Sequence, residues 1–224
     1  MTRRRLGPAG VSARVAAAVC AAVAVVGAGV LAPAPPAAGT PVRATAVTCP
    51  TDARPLSAGD VDRAWAVARE RLQALAGPVS FPFGATAGGP YRRTNAYAWT
   101  SGFYPASLWL AFERTGEGRW LDLARRYTDP LLPVARWRGT HDLGFMIGLP
   151  AGLAARLDQA RADRYAKALR TAATSLATRW NGRVGALQSG TYAGRWGLIV
   201  DSAMNAPLLV EQGRAIGGRR GDRL

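Results

Sequence analysis

Lysine, histidine, cysteine and acid are all scarce in this sequence. Of 29 basic residues only Lys167 is a lysine, against 14 acidic residues. A single histidine, His141, excludes any multi-histidine metal site and weakens a Ser-His-Asp nucleophile relay. Of the two cysteines, Cys20 lies within an apolar leader. Once that leader is removed Cys49 stands alone, which excludes a disulfide framework and a cysteine metal site. There is no P-loop, no dinucleotide-binding fingerprint, no HExxH and no Gly-x-Ser-x-Gly elbow. Alternation of strand type is also missing, which argues against a sheet-based fold.

The chain is 49% hydrophobic over 224 residues, enough for one domain with a sizeable core, and carries a formal net charge of +15. Such a charge suits an anionic partner: nucleic acid, acidic lipid or acidic polysaccharide. The arginines are dispersed, however. Arg3, Arg4 and Arg5 open the chain, Arg214, Arg219, Arg220 and Arg223 crowd its end, and the others lie among Ala and Leu on helical faces. Solvated surface is the preferred reading, and no nucleic-acid partner is expected.

Residues 1–46 read as a signal peptide and its cleavage region. A basic start precedes an apolar run over residues 15–31, then small residues, with cleavage between Ala38 and Ala46. This makes the protein secreted or cell-surface. An uncleaved membrane anchor is the alternative, because the run is near the minimum for spanning. No stable membrane partner is expected beyond the leader. Residues 47–58, rich in Pro, Ala and Thr, read as a linker to a domain over residues 59–224.

That domain is predicted to be all-α. Val61, Trp65, Ala68, Leu72 and Leu75 mark one helical face, with Asp60 as N-cap. Gly77-Pro78 ends it, and residues 78–96 are expected to form a long loop. Residues 101–114 are apolar nearly all round, as in a helix buried on both sides. A third helix runs over 119–132, closed by Pro130 and Pro133. A fourth begins near Asp142 and should be kinked or split by Pro150. The fifth, over 162–180, carries Tyr165, Leu169, Ala172, Leu176 and Trp180 inward. A Gly-rich loop over 183–200 leads to a sixth starting near Asp201. Paired helices of this kind suit a helical repeat array or a toroid.

Three segments join polar and aromatic residues at helix starts: Trp99-Thr100-Ser101-Gly102-Phe103, His141-Asp142-Leu143-Gly144-Phe145, and Asp201-Ser202-Ala203-Met204-Asn205 with Pro207-Leu208-Leu209 behind it. Taken singly, Asp142 and Asp201 read as helix caps, His141 as a structural histidine and Trp99 as core. Taken together, over residues 60–213, they resemble the unsaturated glucuronyl hydrolases of glycoside hydrolase family 88, which show Trp-Thr-x-Gly-Phe, His-Asp-x-Gly-Phe and Asp-x-x-Met-Asn in this order.

The resemblance implies an (α/α)6 barrel, a six-hairpin toroid, here incomplete with about half of its helices. It implies a hydrolase that removes unsaturated (4,5-dehydro) glucuronic acid from the non-reducing end of lyase-generated oligosaccharides, with no metal or organic cofactor. Asp201 then matches the general acid/base, Asp142 the second essential carboxylate, and Trp99 and His141 residues bordering the sugar. Two carboxylates sharing one pocket resist joint ionisation, so the pair is expected to face one cavity within roughly 10 Å. The resemblance further implies that a later half is needed, so this chain alone is expected to be a fragment with little activity. Two other readings remain open: an unsaturated rhamnogalacturonyl hydrolase with the same barrel, and a non-catalytic helical-repeat scaffold. The scaffold reading requires the two aspartates to point to unrelated surfaces.

Overall fold

A computed structural model describes residues 55–217 of the chain. The signal-peptide reading, most of the predicted linker, Cys20, Cys49, Arg219, Arg220 and Arg223 lie outside these residues, whereas Arg214 falls in the last turn of the final helix. Two compact units are distinguished, Met1–Ala64 and Trp65–Leu224. In the first, the described residues form the start of helix α1 (Ala58–Ala74). Ser57, rather than Asp60, caps it. The Ser57 hydroxyl accepts the Asp60 amide at 3.2 Å, and the Asp60 carboxylate accepts the Ser57 amide at 2.8 Å. This reciprocal capping box places Asp60 one turn further in than its sequence position suggested.

The second unit is built on helices α2 (Phe103–Thr115), α3 (Gly118–Thr128), α4 (Leu149–Leu157), α5 (Ala162–Ala177) and α6 (Ser202–Ile216). Each follows the apolar period expected of it, with boundaries moved by local chemistry. Helix α2 stops at Gly116, whose φ of 70° is left-handed. The third helix ends at Thr128, earlier than predicted. Pro130 and Pro133 lack amides to continue the α ladder, and residues Asp129–Arg136 tighten into 3-10 turns. The helix expected from near Asp142 is split at Pro150: a π-turn over Gly144–Gly148 runs directly into α4, which carries Pro150 in its first turn.

Trp109, Trp120, Tyr127, Tyr165, Leu131, Met146, Ile147 and Leu176 fill the core and are essentially inaccessible. Some of their polar atoms are paired: the Trp109 indole donates to the Thr128 hydroxyl at 2.9 Å and the Tyr127 hydroxyl to the Gly77 carbonyl at 3.0 Å, whereas the Trp120 indole nitrogen is buried without a partner. Burial pushes the Tyr165 hydroxyl up to about 12. Trp65, Leu72 and Leu75 of the first predicted face pack on this core.

Three further expectations are corrected. Helix α2 is not buried on both sides: Phe103 and Leu110 are exposed. Trp180 lies beyond α5 and is exposed too. The predicted loops contain strands. β1 (Phe81–Gly84) pairs with β2 (Arg92–Thr94), β3 (Trp180–Asn181) with β4 (Ala186–Leu187), and β5 (Gly190–Tyr192) with β6 (Arg195–Gly197), all antiparallel. The last hairpin turns through Ala193 and Gly194, with φ of 49° and 75°, the positive pair that a tight primed turn demands.

Candidate active site

The two aspartates meet. Single donor atoms of His141, Asp142 and Asp201 lie within 4.8 Å of one another, well inside the separation expected for a working carboxyl pair. The His141 Nε2 is 3.2 Å from Asp142 Oδ1 and 3.6 Å from Asp201 Oδ2. The geometry is the opposite of what two unrelated helix caps on a scaffold require.

Local chemistry holds each carboxyl differently. Thr140 closes a small turn on Asp142: its hydroxyl accepts the Asp142 amide at 3.0 Å and donates to Asp142 Oδ2 at 2.7 Å. Asp142 Oδ2 therefore has the Thr140 hydroxyl as donor, while Oδ1 faces the His141 Nε2 at 3.2 Å. Asp201 stands immediately before α6, yet its carboxylate makes no cap bond to the helix. Its Oδ1 is buried with no hydrogen-bond partner. An acceptor left so at the mouth of a helix is unusual, because a capping bond is worth about 1 kcal/mol.

Asn205 sets the distance between the two segments. This fully buried side chain accepts the Phe145 amide at 3.0 Å and donates to the Asp201 carbonyl at 3.1 Å. It thereby ties the π-turn after Asp142 to the turn before α6. Gly144 makes the approach possible: a Cβ there would lie 2.7 Å from both Asn205 Cα and Asn205 Oδ1. The other segment packs as closely, since a Cβ on Gly102 would collide with the Phe145 carbonyl.

Trp99 joins this end of the molecule through Phe145. Its ring centroid is 6.2 Å from that of Phe145 and 5.9 Å from that of Phe103, and Phe103 and Phe145 are 5.3 Å apart. Trp99 is 49% exposed, so it is a surface platform and not core. His141, at 7% exposure, is buried among polar partners, with Ser202 Oγ 3.2 Å from its Nδ1.

All four residues singled out in the sequence thus fall at one end of the fold. Thr140, Ser202 and Asn205 were not assigned roles there. The Thr-x-Asp spacing before the turn was a usable signal for Thr140. Nothing in the sequence pairs Ser202 or Asn205 with residues about sixty positions away. The triad also meets the spacing of a three-ligand metal site.

No family model matches the chain. A curated unsaturated glucuronyl hydrolase of Formosa agariphila is 31% identical over 116 residues, 50% of this chain and 29% of that protein. One from Bacillus sp. strain GL1 is 28% identical over 156 residues, 61% of this chain and 38% of that protein. Among solved structures, an unsaturated glucuronyl hydrolase specific for heparin is 30% identical with a TM-score of 0.61, over 67% of this chain and 40% of that one. The enzyme from Streptococcus agalactiae, 23% identical, shares the fold with a TM-score of 0.68 over 76% of this chain and 45% of its own. The mostly helical chain agrees with the helical barrel of these neighbours. Its relatives, matched over about half to three quarters of its length, are unsaturated glucuronyl hydrolases of glycoside hydrolase family 88, and it spans less than half of each of those compared.

Proposed function

We propose that the chain carries the acid/base half of an unsaturated glucuronyl hydrolase, acting on the 4,5-unsaturated uronic acid at the non-reducing end of an oligosaccharide. The observation that carries this reading is the meeting of His141, Asp142 and Asp201 within 4.8 Å. A vinyl ether is hydrated by adding a proton to one carbon of its double bond and the elements of hydroxide, from water, to the other. The first step needs a carboxylic acid and the second a base that takes a proton from water. Asp201 is the candidate for both, because no capping bond or second partner immobilises it. Asp142, held by Thr140 and His141, is the fixed neighbour that positions substrate. Hydration yields a hemiketal, which opens and releases the aglycone sugar. Trp99 offers an aromatic face to the ring.

Export through residues 1–46 belongs to the same reading, since lyase products of extracellular polysaccharides arise outside the cell. So does low activity of this chain by itself. The test combines binding and turnover. An unsaturated disaccharide should perturb the imidazole resonances of His141 saturably, and its saturated counterpart should not. Asp201→Asn should weaken the effect without unfolding the chain. Loss of the substrate's ultraviolet absorbance should be slow. An unsaturated sugar that leaves His141 untouched overturns the proposal.

A further inference from the structure

His141 is buried, so both ring nitrogens need partners. The hydrogen-bond inventory decides which of them carries the proton in the neutral ring. The Thr140 hydroxyl accepts the Asp142 amide, so its own proton goes to Asp142 Oδ2. Asp142 Oδ1 is left as an acceptor, 3.2 Å from His141 Nε2. With carboxylate oxygens of Asp142 at 3.2 Å and Asp201 at 3.6 Å both facing Nε2, the proton of the neutral ring is assigned to Nε2, which leaves Nδ1 a lone pair. The group at hydrogen-bond distance from Nδ1 is Ser202 Oγ, at 3.2 Å, on a residue only 4% exposed.

We infer that Ser202 is a positioning residue that donates its hydroxyl proton to His141 Nδ1, and so keeps the Nε2 proton aimed between Asp142 and Asp201. The inference rests on the proposed role of this triad. A serine suits the position for a specific reason. When the ring is neutral the hydroxyl donates to Nδ1. If the ring gains a second proton, Nδ1–H becomes a donor and the same oxygen accepts, with rotation of one hydroxyl hydrogen and no heavy-atom movement. Alanine serves neither state, and a carboxylate would favour only the charged one. Ser202 also follows Asp201 directly, so one turn of backbone places the proposed acid and the anchor of its neighbouring imidazole. A shift of that turn moves both together.

The chain's single histidine makes this measurable without substrate, because only two imidazole nitrogen resonances exist. In uniformly 15N-labelled protein, Nε2 should show the pyrrole-type position and Nδ1 the pyridine-type position, displaced upfield by an accepted hydrogen bond. Ser202→Ala should return Nδ1 to the unbonded pyridine-type value with Nε2 little changed, and Ser202→Thr should restore the native value. A pyrrole-type Nδ1 in the native chain, which needs no variant to fold, overturns the inference. So does an alanine variant whose Nδ1 signal does not move. Neither outcome depends on sugar binding, so the tautomer and the glucuronyl reading stand or fall separately.

Discussion

Asp158 and Asp201 occupy the same kind of place, each the last residue before a helical segment, and the fold uses them in opposite ways. Asp158 is 4% exposed and takes a two-pronged bond from Arg125, with both contacts at 2.7 Å. That fork, with its geometry matched to a carboxylate, holds the Asp158 carboxyl below its ordinary range. Asp201 has no such fork, no cap bond, and an oxygen buried without a donor. One aspartate is committed to stability. The other is held by its backbone, through Asn205, while its carboxyl is left uncommitted, as the proposed acid/base role requires.

The strongest way to break the contrast is Arg125→Ala. It leaves Asp158 buried without its fork, and should cost about 3 kcal/mol at neutral pH, the lower end for a buried pair because Arg125 is itself partly exposed and Ala160 and Arg161 still act on the carboxylate. The pH dependence has a definite sign. A carboxyl lowered by its partner contributes fully above the unfolded value near ~4 and loses that contribution as pH falls through the folded value. The deficit of the variant, read by urea unfolding, should therefore shrink in acid as Asp158 is neutralised. A deficit that stays constant with pH would remove Asp158 from the account.

Gly144→Ala attacks the other aspartate through its support. The added methyl meets the Asn205 backbone, which is not the yielding end of a flexible side chain. A loss of about 1–3 kcal/mol is expected, together with displaced His141 imidazole signals. Unchanged signals would show that Asn205 does not set the site. Asp201→Asn should show almost nothing in stability, within about 0.5 kcal/mol of the native chain. No helix cap and no ion pair shorter than the 3.6 Å contact to His141 is lost. A loss above about 1 kcal/mol would return Asp201 to the class of Asp158.

The same contrast marks what could be read in the sequence. The helices were legible because their apolar residues recur with the helical period, from Tyr165 to Leu176 most clearly, and because Gly77-Pro78 stops the first of them. The site was legible as three motifs in order. The hairpins were not, since strands of two to four residues carry no period and are made by their turns, as at Ala193-Gly194. The 3-10 and π segments beside Pro130 and Pro150 reflect how a missing amide is absorbed, which depends on packing. Ser57 displaced Asp60 as cap because both can serve and only the start of the helix chooses. Ser202 and Asn205 act across the fold on partners that no local pattern names.

The smallest effect tests whether an ion pair matters here merely by being present. Arg156 also meets the Glu113 carboxylate with two prongs, through Nη1 and Nη2 where Arg125 uses Nε and Nη2, and its bond likewise lowers Glu113. What differs is water: the Glu113 and Arg156 side chains are 39% and 54% exposed. Solvent competes for both groups, salt screens them, and two long side chains lose freedom to hold the fork. Glu113→Gln should accordingly change stability by less than about 0.5 kcal/mol, and still less in 0.5 M salt, where Arg125→Ala should keep most of its cost. Equal effects from the two pairs in urea unfolding would mean that fork geometry, and not burial, separates committed carboxylates from available ones. Asp201 would then owe its freedom to the lack of an arginine alone.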